Sequence, residues 1–235
     1  VVMIAILMAA GLGTRMKPLT DKVPKPLIKV FGKSMIETII DGLEKVVDKV
    51  YVIVGYKKEQ FEFLTEKYPN LELIENKEYQ TINNISSIHA AREVMGTDDC
   101  FICEADLYVS DLSIFVDTLS MSCYYGVFVS GYSDDWVFDT NSNNEITRVG
   151  KYGTDRYNMC GVSFFKRNDA KIIRDKIDEL YTKPGEYENL YWDDAVNMSL
   201  DKIRLSVLPV KREQIIELDS VAELEEFDPD YKKYN

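Results

Sequence analysis

Residues 3–10 read MIAILMAA, with no polar side chain on either alternating face, and run straight into Gly11-Leu12-Gly13-Thr14-Arg15-Met16-Lys17-Pro18. A strand apolar on both faces needs a sheet covered on both sides, which is the setting of a central parallel strand. The rest of the chain fits that demand. Strands are expected at 3–10, 50–54, 71–75, 100–106, 124–131, 159–165, 204–210 and 215–218. Helical patterns fall between them at 34–48, 57–68, 84–95, 111–120 and 168–182, with a last short helix opened by Ser220 and Glu223. Ser34 and Glu37 have the same capping-box spacing. Alternating strands and helices predict an α/β fold with a Rossmann-like, mostly parallel but mixed central sheet flanked by helices. Residues 132–157 are polar and read as turns, with 139–144 as a hairpin tip, and 228–235 read as a tail. No repeat or linker divides the 235 residues, so one domain over 1–235 is expected.

The chain carries 28 basic and 40 acidic residues, for a net charge of −12. Binding to nucleic acid rests on neutralising phosphates, and so acidic a surface excludes a non-specific role of that kind. No apolar run reaches the length of a membrane-spanning helix, and no membrane insertion is expected. No basic segment precedes the apolar start and Arg15 and Lys17 follow it, so a secretory leader is not expected either. The charge is uneven. Residues 1–33 hold Arg15, Lys17, Lys22, Lys25, Lys29 and Lys33 against Asp21 alone, a local +5 that leaves −17 for the remainder. A cationic stretch on an acidic protein points to a specific anion site.

The glycine loop gives that site a shape. A strand, then glycines, then a basic side chain is an arrangement that wraps backbone N–H groups around phosphates. Gly11 and Gly13 allow close approach of an anion, and Arg15 can fork onto phosphate oxygens. Met16 stands where a dinucleotide fingerprint needs its third glycine, and the Walker pattern is absent. With Pro18 blocking a long helix, the loop is expected to lie as an extended lid over a triphosphate. Pro24 and Pro26 bracket Lys25 and stiffen its backbone.

Cys100 and Cys103 have redox or zinc spacing, but three residues along a strand place them on opposite faces and no second pair completes a metal site. With Cys123 and Cys160 they read as buried thiols of a reducing, cytoplasmic setting. His89, the single histidine, reads as structural.

Leu7-Met-Ala-Ala-Gly-Leu-Gly-Thr-Arg15, Pro18-Leu-Thr20 and Pro24-Lys25-Pro26-Leu27 together resemble the nucleotidyltransferases of the sugar-phosphate type, which join a nucleoside triphosphate to a phosphate monoester and release pyrophosphate. Asn83-Asn84 with Ser87, Leu107-Tyr108, Asp135-Trp136, Leu190-Tyr191-Trp192-Asp193 and Glu217-Leu-Asp-Ser-Val221 extend the likeness to the bacterial CTP:phosphocholine cytidylyltransferases. The resemblance implies the nucleotide-diphospho-sugar transferase type of fold, with a nucleotide-binding half over 1–110 and an acceptor-binding half over 111–235. It implies that Ala9, Ala10, Gly11, Leu12, Gly13, Thr14, Arg15 and Asn84 bind CTP. It also implies that Asp106 and Asp219 hold Mg²⁺, a hard cation suited to carboxylates and phosphates. On the residues alone either acid is equally a cap or a solvated carboxylate, and Ser220 beside Asp219 makes capping a direct rival. Glu104, two residues before Asp106, shares its face.

The implied acceptor is a phosphorylated amino alcohol. A quaternary ammonium donates no hydrogen bond and is held by aromatic faces and nearby carboxylates. Trp136, Tyr191, Trp192 and Asp193 supply those groups, although large aromatics are as readily core. Arg15, Lys25, Asp106 and Asp219 form the expected catalytic set, with Lys25 easing the approach of the acceptor phosphate. Phosphocholine is the first expectation. The alternatives are 2-aminoethylphosphonate, phosphoethanolamine or a sugar 1-phosphate, and a non-catalytic nucleotide sensor is disfavoured by the complete set. Oligomeric state is not legible in the sequence.

Overall fold

The computed structural model describes residues 2–235. In chain order its elements are β1 (Met3–Ala9), β2 (Lys29–Val30), β3 (Lys33–Ser34), α1 (Met35–Leu43), β4 (Lys49–Val54), α2 (Phe63–Lys67), β5 (Leu71–Glu75), α3 (Ile85–Ala90), β6 (Asp99–Glu104) and β7 (Leu107–Val109). The second half adds β8 (Cys123–Thr140), β9 (Ile146–Phe165), α4 (Arg167–Leu180), α5 (Trp192–Asn197), β10 (Ser206–Pro209), β11 (Ile215–Glu217) and α6 (Val221–Phe227).

The apolar opening forms the middle of a seven-stranded sheet of order β10-β8-β9-β6-β1-β4-β5. β4 and β6 flank β1 and run parallel to it, while β9 pairs antiparallel with both β6 and β8. Alternate side chains of β1 feed two cores. Ala5, Leu7 and Ala9 pack under Ile36, Ile39 and Ile40 of α1. Ile4 and Ile6 join Ile173 and Ile177 of α4 and Val196 of α5 on the other face. Cys100 and Cys103 divide between the same two cores, and all four cysteines are free and buried. Burial pushes the Cys100 and Cys123 thiols up to about 12. Among the described residues no helix is long and apolar enough to cross a membrane.

The chain leaves β1 for β4 on one side and later returns to β6 on the other. That reversal makes a topological switch point, where α/β sheets open a crevice at the carboxyl ends of their strands. The glycine loop leaves one wall of this crevice and Asp106 the other.

Residues 132–157 depart from the expected turns. β8 and β9 continue through them as one long antiparallel arm, interrupted by register shifts between Val129 and Tyr132 and between Ser133 and Trp136. The segment is polar because much of the arm extends past the covered sheet and is solvated. Only the tip is a turn, in which Asn141 Oδ1 accepts the N–H groups of Asn143 and Glu145. The helical stretch 84–95 contracts to α3, and 111–120 reduces to a single turn at Leu112–Ile114. Ser34 does not cap α1. Its hydroxyl donates instead to Glu37, which also accepts from Lys67 and Tyr68. The tail is docked: Tyr231 is buried, Asp228 accepts the N–H of Phe31, and Asn235 accepts that of Lys29.

Thr38 in α1 couples the first core to the crevice. Its hydroxyl donates to Met35 O at 2.6 Å and accepts the Val109 N–H at 2.9 Å, holding the strand that follows Asp106. Thr38→Val keeps the shape and strands a buried N–H. Urea denaturation should show a loss of about 1–3 kcal/mol, and an unchanged midpoint would deny the bond any weight.

Candidate active site

The glycine loop is folded rather than extended. Ala10 O accepts the N–H of Tyr56, and single helical turns follow at Thr14–Met16, Leu19–Asp21 and Lys25–Leu27. Gly13 sits in the left-handed region at φ +60°, and its carbonyl accepts the Thr20 hydroxyl at 2.8 Å. A Cβ there would lie 3.0 Å from both Lys25 Cβ and Thr20 Cγ2, so the glycine serves conformation and close packing together. A Cβ at Gly11 would meet nothing within 4 Å, which leaves that backbone open to the crevice. Met16 explains the compactness. It is fully buried with Ile28, Met35, Leu218 and Leu224 in a third core that fastens the loop to the C-terminal segment.

That core also places charge. Arg15 precedes buried Met16 and Asp219 follows buried Leu218, and their side chains meet at 3.6 Å. Asp106 comes from the opposite direction. β7 pairs antiparallel with β11, Leu107 facing Glu217, so the residues just outside the pair converge. Lys25, only 8% exposed, reaches both acids: its Nζ lies 3.1 Å from Asp106 Oδ2 and 3.4 Å from Asp219 Oδ1. Burial alone would depress the Lys25 ammonium, but Asp106 and Asp219 hold its pKa above the ordinary lysine value. Ser220 takes the N-cap of α6, accepting Glu223 N–H at 3.1 Å, and leaves the Asp219 carboxylate free for this cluster.

Two further acids crowd it. Burial and then the neighbouring Asp106 and Glu217 raise the Glu104 carboxyl well above its usual value. Glu217 lines the cleft from an exposed position on β11, and partial desolvation there, then Asp219 and Asp106, raise its carboxyl above the usual value. The sequence reading passed over Glu217, although the period-2 argument that ties Glu104 to Asp106 applies equally to Glu217 and Asp219.

Two concavities meet at Lys25. The smaller, about 160 Å³, is lined by Ala9, Ala10, Gly11, Gly13, Asn84 and Ser87, with Glu104 and Asp106 at its mouth. Leu12 is partly exposed on the outer side of the loop, and neither it nor Thr14 is part of the lining. Asn84 Oδ1 accepts the Trp192 N–H at 2.8 Å, so its carbonyl is engaged within the protein. The larger cleft, about 310 Å³, runs past Arg15 and Lys25 to Trp136, Tyr191 and Asp193, with Asp134, Asp135 and Lys151 beside them. Trp136 and Tyr191 meet edge to face at 5.2 Å. Asp193 is buried, accepts the Tyr124 hydroxyl at 2.8 Å, and is pushed by burial up to about 7.

Trp192 corrects the sequence expectation. It is 3% exposed and packs on Tyr124 and Phe165 in the second core, away from the cleft. It opens α5, a helix whose inward face must be apolar, and only its neighbours on either side reach the cleft. His89 lies outside both concavities, stacked on Tyr181 at 3.6 Å, and burial lowers its pKa.

Residues 5–123 match the MobA-like NTP transferase domain family. A 2-aminoethylphosphonate cytidylyltransferase of Lancefieldella rimae is 51% identical, over 97% of this chain and 92% of that protein. A choline-phosphate cytidylyltransferase of Streptococcus pneumoniae is 32% identical, over 98% of this chain and 99% of that one. Among solved structures, the CTP:phosphocholine cytidylyltransferase from Streptococcus pneumoniae superposes with a TM-score of 0.90 at 31% identity, covering 97% of this chain and 99% of that one. A UDP-glucose pyrophosphorylase shares the fold at TM-score 0.77 and 16% identity, with full coverage of both chains. The chain belongs to the MobA-like NTP transferase family and is a nucleotidyltransferase.

Gly13→Ala forces a side chain into a left-handed position against Lys25. It should cost roughly 1–2 kcal/mol of stability and raise the nucleotide KM several-fold in steady-state assays. A variant with wild-type stability and KM would show that the glycine is dispensable.

Proposed function

We propose that the protein transfers a cytidylyl group from CTP to 2-aminoethylphosphonate, releasing pyrophosphate, with Mg²⁺ held by Asp106 and Asp219. The observation that carries the acceptor is the far end of the larger cleft. Asp134, Asp135, Asp193 and Glu217 gather there around only two rings, Trp136 and Tyr191. A primary ammonium donates three N–H groups and needs carboxylates to receive them, whereas a quaternary ammonium needs a fuller set of aromatic faces. The 51% identity to a 2-aminoethylphosphonate cytidylyltransferase supports the same acceptor. Phosphocholine is the second reading, favoured by the Trp136–Tyr191 pair and by the choline-phosphate relative. A sugar 1-phosphate would call for neutral hydroxyl partners, which a carboxylate-lined cleft offers less well.

The residues suit the metal. Asp106 and Asp219 already converge on one cation, the Lys25 ammonium, and Glu104 and Glu217 add two further carboxyl groups beside them. Among the described residues no group of three His, Cys, Asp or Glu side chains is disposed to hold a metal. Two carboxylates with substrate phosphates are sufficient for Mg²⁺. When bound, Mg²⁺ would withdraw negative charge from the α-phosphate.

The protein's own groups account for the remainder. The backbone of Ala9, Ala10, Gly11 and Gly13 receives the nucleotide in the smaller concavity, and Arg15, which lines the adjoining cleft with its side chain 77% exposed, is free to swing from Asp219 onto the β- and γ-phosphates. Lys25, between the two concavities, offsets the repulsion between two anions as they approach. An oxygen of the phosphonate forms a bond to the α-phosphorus as the bond to the bridging oxygen breaks, and pyrophosphate leaves with that electron pair. The acceptor is already anionic near neutral pH, so no general base is required, and catalysis is positioning with electrostatic stabilisation.

A pyrophosphate-release assay with CTP tests the reading against 2-aminoethylphosphonate, phosphocholine, phosphoethanolamine and glucose 1-phosphate. The expected result is the highest kcat/KM with 2-aminoethylphosphonate and loss of turnover in EDTA that Mg²⁺ restores. A preference for glucose 1-phosphate, or activity indifferent to EDTA, contradicts it. Lys25→Ala should lower kcat by about 10²–10³, the scale for one lost transition-state electrostatic group. A near-wild-type rate would remove Lys25 from the mechanism.

A further inference from the structure

Lys151 stands on β9 directly opposite Trp136 on β8, and cross-strand partners share one face of a hairpin. Both line the acceptor end of the cleft. The Lys151 ammonium lies over the ring of Tyr191, 5.7 Å from its centroid. The position is supported from below. The Asp194 carboxylate accepts the Tyr191 N–H at 2.9 Å, and its negative charge lies within electrostatic reach of Lys151. Of the two rings available to a cationic headgroup, one is therefore covered by a cation that belongs to the protein.

We propose that Lys151 is a specificity-determining residue, which occupies the Tyr191 face and so excludes acceptors bearing a quaternary ammonium in favour of those bearing a primary one. The inference rests on the acceptor reading given above and adds the residue that enforces it. A trimethylammonium has only ring faces and Coulomb attraction to hold it. Covering Tyr191 removes one face, and the Lys151 charge opposes a bulky cation brought against it. A primary ammonium is smaller and directional. It keeps Asp135, Asp193 and Glu217, which Lys151 does not cover. Selection thus comes from an element placed against the wrong substrate as well as from contacts to the right one.

The test compares wild type, Lys151→Ala and Lys151→Arg, with kcat and KM measured separately for 2-aminoethylphosphonate and phosphocholine at saturating CTP. Lys151→Ala should raise the phosphocholine to 2-aminoethylphosphonate ratio of kcat/KM about tenfold, mainly through a lower phosphocholine KM. The KM for CTP should not move. Lys151→Arg keeps a cation over the ring and should keep the wild-type ratio. If wild type prefers 2-aminoethylphosphonate but the ratio is unmoved in Lys151→Ala, the inference fails and the acceptor reading stands. If Lys151→Ala weakens both acceptors equally, Lys151 serves the shared phosphorus group and the inference also fails. If wild type itself prefers phosphocholine, the acceptor reading fails and takes the inference with it.

Discussion

A single ammonium gathers the working parts of this molecule. Lys25 is nearly buried, and burying a charge is costly unless opposite charge and hydrogen bonds meet it. Asp106 and Asp219 meet it at 3.1 and 3.4 Å. They come from remote stretches of chain, and the cation between them offsets their mutual repulsion. Their convergence has two structural causes: the antiparallel match of β7 with β11, and the third core, where Met16 and Leu218 pack together. The glycine loop is tied in as well, because Gly13 leaves no room for a side chain next to Lys25. Loop, acids and lysine form one unit. Disturbing any member leaves the nearly buried Lys25 ammonium with less to offset its desolvation.

Charge of both signs lines the cleft that grows from this unit. Arg15, Lys25 and Lys151 stand among Glu104, Asp106, Asp134, Asp135, Asp193, Glu217 and Asp219. Such a lining would suit the acceptor proposed above, which carries an anionic group and a cationic group a few bonds apart. The overall charge of −12 conceals this, since the positive excess is confined to residues 1–33. Desolvation first, and then the neighbouring acids, raise the Glu104 and Glu217 carboxyls above their ordinary values. A cation bound among them relieves a repulsion already present in the fold.

How much of this the sequence discloses depends on the range of the interactions involved. The two-faced opening strand and the proline-bracketed lysine are local features found where their patterns imply, whereas the glycine loop is folded, not extended, because buried Met16 ties it to the third core. Asp106 can be placed at a strand end from the sequence, but its role as a metal acid is implied only by the resemblance. Asp219 needed the resemblance, since a carboxylate beside Ser220 reads equally as a cap until the Ser220 hydroxyl is seen taking that role. Trp192 misled because composition does not tell which way a helix turns: Tyr191 and Asp193 reach the cleft while the residue between them faces the core. Lys151 left no local signal at all. Its meaning lies in a cross-strand register with Trp136, and the polar stretch that contains both residues resembles a loop until the strands are paired.

That register separates two tasks in the fold. In the function proposed above, the chemistry of phosphorus would be served by the switch point of the parallel sheet, where β1 and β6 deliver the loop and Asp106. The acceptor's headgroup would be met by the β8–β9 arm, which supplies Asp134, Asp135, Trp136 and Lys151. Regular alternation would send consecutive side chains to opposite faces, so Asp134, Asp135 and Trp136 can line one cleft together only where the ladder is irregular. The shift between Ser133 and Trp136 therefore sets which of them enter the cleft. Changes near residues 134–136 and 151 of the arm would act on the headgroup, whereas changes nearer Val162–Phe165, where β9 pairs with β6, would also reach the Lys25 cluster.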